Sequence, residues 1–207
     1  MPGSGKGTLG RKLAEKYQLR YVCVGDILRR KAEAGELTDE QIAILDSGGM
    51  LPEKEVQSIL EDELEDALRR KDGVLLDGYP RSYYQASVLL KYLDKELKLS
   101  RTMVLYLEIV DDSILLRRLK NRRICGKCGA IYSEATICCG KATIARQDDT
   151  EEVINHRLEY QGILSEGLLK YLKENFYVYT IDASTSPDNV LAKAVDVLDN
   201  EKRREIV

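Results

Sequence analysis

The chain lacks any apolar run of membrane-spanning length: a stretch such as Met103 to Leu107 falls far short of the roughly 20 residues a spanning helix needs. No secretory hydrophobic segment opens it, so the cytoplasm is the expected location and no membrane partner is expected. It also lacks a basic excess. Thirty-two Lys and Arg stand against 35 Asp and Glu, a formal net charge of -3, which argues against nonspecific nucleic-acid binding. There is no internal repeat and no low-complexity linker. Histidine is nearly absent: His156 is the only one, it falls on a helical stretch beside Arg157, and a surface or capping place is expected for it, not a catalytic one. Missing, too, is a strand ahead of the glycine-rich loop, which stands at the very start. Such a strand is ordinarily the central one of its sheet, so its absence would leave a groove of unpaired backbone groups: either the sequence is clipped or another segment fills the slot, for which the short apolar end Glu205-Ile206-Val207 is the one spare candidate and not the expected one.

What is present is a globular composition, 43% hydrophobic and 32% charged over 207 residues, enough for one core with small appended lobes. Apolar stretches alternate with amphipathic ones in a beta-alpha order, which implies an α/β fold with a parallel sheet flanked by helices. Helices are expected over Lys6 to Tyr17, Val56 to Arg70, Gln85 to Lys95, Asp112 to Leu119 and Glu151 to Lys173, and from Asn189 after the Ser186-Pro187-Asp188 start signal. Strands are expected over Tyr21 to Val24, from Gly73 to Leu76, over Met103 to Ile109 and over Tyr177 to Ile181. With a strand ahead of the loop, the sheet would have about five strands.

Gly3-Ser4-Gly5-Lys6-Gly7-Thr8 followed by a helix reads as the second half of a phosphate-binding loop. Glycines let backbone N–H groups turn inward around phosphate oxygens, the helix start adds partial positive charge, and a lysine reaches the transferring phosphate. Thr8 places a hydroxyl where phosphates or a metal would lie. The first glycine of the full G-x-x-x-x-G-K pattern is absent, because the chain begins with Met1 one position too late. A second signal is Asp77-Gly78-Tyr79-Pro80-Arg81 at the end of the apolar Val74-Leu75-Leu76.

Together with Val24-Gly25-Asp26-Ile27-Leu28-Arg29 and Arg146-Gln147-Asp148-Asp149, these motifs resemble the adenylate kinases nearly end to end. The resemblance implies a P-loop nucleoside monophosphate kinase fold with inserted AMP-binding and lid lobes, and phosphoryl transfer from ATP to AMP with Mg2+. The core would comprise residues 1–22, 52–120 and 150–207, the AMP-binding lobe 23–51 and the lid 121–149. Arg81 would hold the AMP phosphate, with Asp77 and Asp26 near the waters of Mg2+. Gln85, one helical turn after Arg81, would read adenine through its amide, which offers a donor and an acceptor side by side. Gly78, Tyr79, Pro80, Val24, Arg29, Gly49, Met50 and Leu51 would complete the AMP site. Val24 departs from the Thr usual in the family and removes a hydroxyl from the base pocket. On the ATP side the resemblance implies Gly3 to Thr8, Arg118 packed on the base, Ile131 and Tyr132 along the nucleotide, and Ser186. Lys6, Arg81, Arg122, Arg146 and Arg157 would be the catalytic set, with Arg146 and Arg157 also reaching AMP. Phosphoryl transfer asks mainly for positioning and for offset of oxygen charge, which fixed guanidiniums supply.

Four of the five cysteines fall between Cys125 and Cys139, and in a cytosolic enzyme such clustering points to a metal before disulfides. Cys125-Gly126-Lys127-Cys128 makes a zinc knuckle resembling the lid of many bacterial adenylate kinases. The second half, the adjacent Cys138-Cys139, is irregular because neighbouring side chains point apart; Cys125, Cys128 and Cys139 with Cys138 as fourth ligand are the expected structural Zn2+ set, and a metal-free lid of reduced thiols is the alternative. The fifth, Cys23, reads as a small buried apolar residue. ATP, AMP and ADP are the expected small-molecule partners, and the family implies a monomer.

Overall fold

The structure is a computed structural model that describes residues 2–69, 73–95, 102–146 and 149–204, with the side chains of 67–69, 95, 157, 160–166 and 202–204 outside the description. Glu205, Ile206 and Val207 lie outside it as well. In chain order the elements are α1 (Lys6–Tyr17), β1 (Arg20–Cys23), α2 (Val24–Glu33), α3 (Asp39–Asp46), α4 (Glu53–Arg69), β2 (Val74–Asp77), α5 (Tyr83–Lys95), β3 (Met103–Glu108), α6 (Asp112–Asn121), β4 (Arg123–Ile124), β5 (Ile131–Tyr132), β6 (Ile137–Cys138), β7 (Lys141–Ala142), β8 (Ile144–Ala145), α7 (Glu151–Asn175), β9 (Tyr177–Asp182) and α8 (Pro187–Arg204). No helix among the described residues is long and apolar enough to cross a membrane.

Two parallel ladders carry the core. β1 pairs with β2 from Arg20↔Val74 to Cys23↔Asp77, and β3 pairs with β9 from Met103↔Tyr177 to Glu108↔Asp182. Among the described residues the two ladders are not hydrogen-bonded to each other, so β2 and β3 each have a single described strand partner. Helix α1 spans the break: Leu9 and Leu13 enter one buried cluster with Leu107, Leu115 and Ile181, against which Leu75 of β2 and Leu105 of β3 pack. Burial of a leucine such as Leu13, 1% exposed, contributes about 2 kcal/mol. A second cluster joins Val22 to Val24, Leu28, Leu51, Leu60 and Leu64, tying α2 and α4 to β1. Arg20 reinforces that join, donating to Glu63 at 2.6 Å and to Asp66.

Several boundaries differ from those expected by one to three residues, and two of the differences have a clear local cause. β1 ends at Cys23 because Val24 already lies in a helix, with Cys23 as its extended N-cap. α5 starts at Tyr83, where Ser82 Oγ accepts the Gln85 N–H. Neither α2 nor α3 is among the helices expected; at the start of α3, Thr38 and Gln41 form a reciprocal capping box. Short antiparallel ribbons, β5-β4-β8 and β6-β7, fill residues between α6 and α7.

Candidate functional site

The carboxyl ends of parallel strands are where an open α/β sheet binds ligands, and there the motifs meet. At the start of α1, Gly3 and Gly5 take left-handed φ values of 78° and 87°, a conformation glycine adopts without the Cβ penalty. Gly5 is the N-cap, no side chain caps the helix and its first turn holds no acid. The exposed N–H groups of that turn suit an anion. Ser4 is buried, and Gly7 and Thr8 lie in the first turn.

Lys6 is drawn into this site. Burial pulls its pKa down to about 8, opposed by Asp77 and assisted by the positive charges of Arg81 and Arg122. One ammonium therefore feels Asp77, Arg81 and Arg122 together, although the four come from α1, the end of β2, the turn after it and the end of α6.

β2 delivers the next group. Asp77, its last residue, is 7% exposed and accepts the Tyr21 hydroxyl at 2.5 Å. Gly78 follows with φ 76°, a left-handed conformation that a side chain would strain, and Arg81 lies over it: a Cβ there would stand 2.8 Å from the end of its guanidinium. Arg81 Nε donates to the Gly78 carbonyl at 2.8 Å, and the Tyr79–Pro80 bond is cis. Gln85, 4% exposed, accepts the Arg81 backbone N–H on Oε1 at 2.7 Å. Its amide oxygen thus fixes the Arg81 turn through one of its two lone pairs, which leaves the other for the expected adenine contact. Tyr79 is buried and its hydroxyl donates to the Gln85 carbonyl.

In α2, Asp26 receives Arg11 on one oxygen at 2.5 Å and Arg29 on the other. With both oxygens engaged by guanidiniums, Asp26 is an anchor for Arg29 in this geometry and fits a magnesium water shell less well than Asp77 does. Val24 is buried against Leu28 and Leu51; Met50 is half-buried, and the Gly49 N–H donates to the Ile44 carbonyl at 2.9 Å.

On the other ladder, Arg118 of α6 donates to three successive carbonyls, Ala183 at 2.8 Å, Ser184 at 3.3 Å and Thr185 at 3.1 Å. This fastens it to the loop that ends at Ser186, whose Oγ accepts the Asn189 N–H. Arg122, at the end of α6, grips Asp149 with both Nε, at 2.6 Å, and a terminal nitrogen. Asp149 was not picked out from the sequence as a site residue, although it closes one of the motifs. Arg146 follows β8, and its carbonyl accepts the Asp149 N–H at 3.2 Å. The Arg157 side chain lies outside the described residues, as do Gln147 and Asp148. Ile131 of β5 stands 3.4 Å from where a Cβ on Gly7 would lie, and Tyr132 pairs with Arg123 of β4.

The cysteine ligand atoms of Cys125, Cys128, Cys138 and Cys139 all lie within 4.8 Å of one another. Cys128 and Cys138 sulfurs are 3.6 Å apart, and Cys138 and Cys139 sulfurs 3.8 Å. A tetrahedral zinc with Zn–S near 2.3 Å sets its sulfurs about 3.8 Å apart, so the four fit that ion. Adjacency is no obstacle here: Cys139 has a left-handed φ of 52°, which swings its side chain round to the side of Cys138. N–H groups of Cys128 and Lys127 stabilise the Cys125 thiolate and pull its pKa down to about 6. The thiols of Cys128, Cys138 and Cys125 push Cys139 up to about 12, the response of crowded sulfurs.

The adenylate kinase family model matches residues 1–176. An adenylate kinase of Bacillus cytotoxicus is 36% identical, the match covering 96% of this chain and 94% of the relative. Those of Fervidobacterium nodosum and Petrotoga mobilis are 33% and 32% identical, each covering 95% of this chain and 94% of the relative.

Proposed function

The chain belongs to the adenylate kinase family and is an ATP:AMP phosphotransferase, and we propose that it works through a cage of Lys6, Arg81 and Arg122 around phosphates lying end to end. The observation that carries this reading is the convergence of those cations and Asp77 on one place from distant parts of the chain. The N-terminal turn of α1 receives the ATP phosphates, with Gly3 to Thr8 as its cradle and Arg118, Ile131, Tyr132 and Ser186 along the nucleoside. Arg81 and Arg29 take the AMP phosphate, and Val24, Gly49, Met50, Leu51, Gly78, Tyr79 and Pro80 border AMP. Gln85 reads the adenine of AMP through its amide and also braces the turn that presents Arg81. Arg146 and Arg157 complete the set by family resemblance.

The phosphoryl group needs charge neutralised on its equatorial oxygens and little else from the protein. Asp77, buried beside Lys6, is the carboxylate that would hold the water shell of a nucleotide-bound Mg2+, which would supply charge to offset that of the phosphate oxygens. Lys6 gives the transferring group a proton-bearing ammonium; phosphate binding favours that charged form. Arg122 is held rigid by Asp149, so its guanidinium is presented without a further ordering cost.

Residues 23–51 are proposed as the AMP-binding lobe, 121–149 as the lid, and 1–22, 52–120 and 150–207 as the core. Closure of both lobes excludes water, so AMP rather than solvent attacks. The lid is proposed to hold structural Zn2+ on Cys125, Cys128, Cys138 and Cys139, all free thiols. That state suits a reducing compartment, and a cytoplasmic monomer is the proposed form. A coupled assay of ADP production from ATP and AMP tests the whole reading, with CMP, UMP and GMP as competing acceptors. No ADP above background, or faster turnover of another monophosphate, would refute it.

A further inference from the structure

Tyr21 has no part in the function so far, yet its surroundings are built to aim it. It lies in β1, one strand over from β2, and its hydroxyl reaches Asp77 Oδ2 at 2.5 Å. Its ring occupies room that α1 leaves open: a Cβ on Gly10 would stand 2.8 Å from ring atom Cε2 and 3.6 Å from Cδ2. The Arg11 guanidinium covers the ring at 4.8 Å from its centroid, and Arg11 is itself held by Asp26. The phenol–carboxylate pair sits under the first turn of the phosphate loop, since a Cβ on Gly7 would be 3.4 Å from Asp77 Oδ2 and 3.7 Å from the Tyr21 oxygen.

We propose that Tyr21 is a positioning residue of the phosphoryl-transfer site, whose hydroxyl holds the Asp77 carboxylate in the orientation that receives the water shell of the nucleotide-bound divalent cation. The physical need arises from Lys6. Asp77 and Lys6 attract one another, and a carboxylate free to turn closes on the ammonium, which removes the cation from the phosphates and the anion from the metal waters. A neutral donor that engages one carboxylate oxygen fixes the group without cancelling its charge. Burial, and next the charge of Asp77, raise the Tyr21 pKa far above its ordinary value, so the phenol stays protonated and remains a donor.

The inference rests on the proposed role of Asp77, and Tyr21→Phe tests it, since that change removes the hydroxyl and keeps the ring. Three quantities are measured: the Mg2+ concentration that half-saturates turnover, the dissociation constant of Mn2+ from the protein–ATP complex by electron paramagnetic resonance, and the melting temperature. Tyr21→Phe is expected to raise both metal constants about tenfold, the worth of one charge-assisted hydrogen bond, with AMP affinity unmoved and the melting temperature lowered by a few degrees at most. Metal constants within twofold of the parent's overturn the proposal. Should Tyr21→Phe melt early, Tyr21→Gln, whose amide can donate, is compared with Tyr21→Leu, which cannot. Tighter Mn2+ in the Gln variant supports the proposal and equal binding overturns it. The Mn2+ measurement needs no turnover, so an inactive parent counts against the proposed function while leaving this comparison readable.

Discussion

The phosphate site and the cysteine knot of the lid are both clusters of charge-bearing groups, but they are assembled in opposite ways. The phosphate site draws on residues far apart in sequence. Tyr21 meets Asp77 because β1 and β2 pair in register, and Lys6 at the start of α1 feels Arg122 at the end of α6. The knot is local: its four sulfurs come from Cys125 to Cys139, through two turns and ribbons two residues wide. Leu13, Leu115 and Leu119 are almost wholly buried near the first site, whereas Cys128, Cys139 and Ile137 of the second are exposed. A long-range site is thus held by the hydrophobic core, and a short-range one is left to depend on what its own ligands bind.

Substitutions that hit one region and spare the other make that division testable. The largest effect belongs to the phosphate site. Arg81→Ala is expected to lower kcat by a factor of about 100 to 1,000, the range for deletion of one fixed transition-state donor, with zinc content and melting temperature unchanged; near-parental turnover would count against the site. Next comes the knot: Cys128→Ser is expected to weaken Zn2+ at least about a hundredfold, read by metal analysis after dialysis, with a lower melting temperature and a smaller loss of turnover. Equal zinc in parent and variant removes Cys128 from the ligand set.

A proton measurement refines the phosphate side further. Lys6 has a free-state pKa of about 8, below its ordinary value, so above that pH the unliganded ammonium is largely deprotonated. Phosphate favours the charged form, so ATP binding one pH unit above that value should take up a proton, and at neutral pH should take up almost none. Calorimetry in buffers of different ionisation enthalpy reads this, and uptake that does not rise with pH would contradict the assignment. The smallest effect is expected at Val24, buried where the family usually carries a hydroxyl. Val24→Thr should lower the KM for AMP about threefold, the net worth of one neutral hydrogen bond, at some cost in stability because Val and Thr are not interchangeable in a core.

The difference between the regions also explains what could be read from the sequence. Helices α1, α4 and α7 were legible from their periodicity, and Asp77-Gly78-Tyr79-Pro80-Arg81 from its place at the end of an apolar strand. The lid ribbons were not, since two residues carry no period. The cysteines were legible as a set, but their geometry was not: a left-handed φ at Cys139 is uncommon for a residue with a side chain. α3 left a signal that went unused, the Thr38 and Gln41 capping pair. For Tyr21 there was no local signal, because its partner is fixed by strand register and its room by the missing side chain of Gly10. Asp26 could be located within its motif, but nothing local announced that Arg11 would share it.

Asp77 stands on the last rung of a ladder only four residues long, β1 against β2, and the turn that presents Arg81 hangs directly from it. Val22 of that ladder enters one buried cluster and Leu75 packs against the other, and core strands open only near the free energy of global unfolding. Heat should therefore disarm the enzyme only as the whole fold lets go, with turnover and helical content lost together.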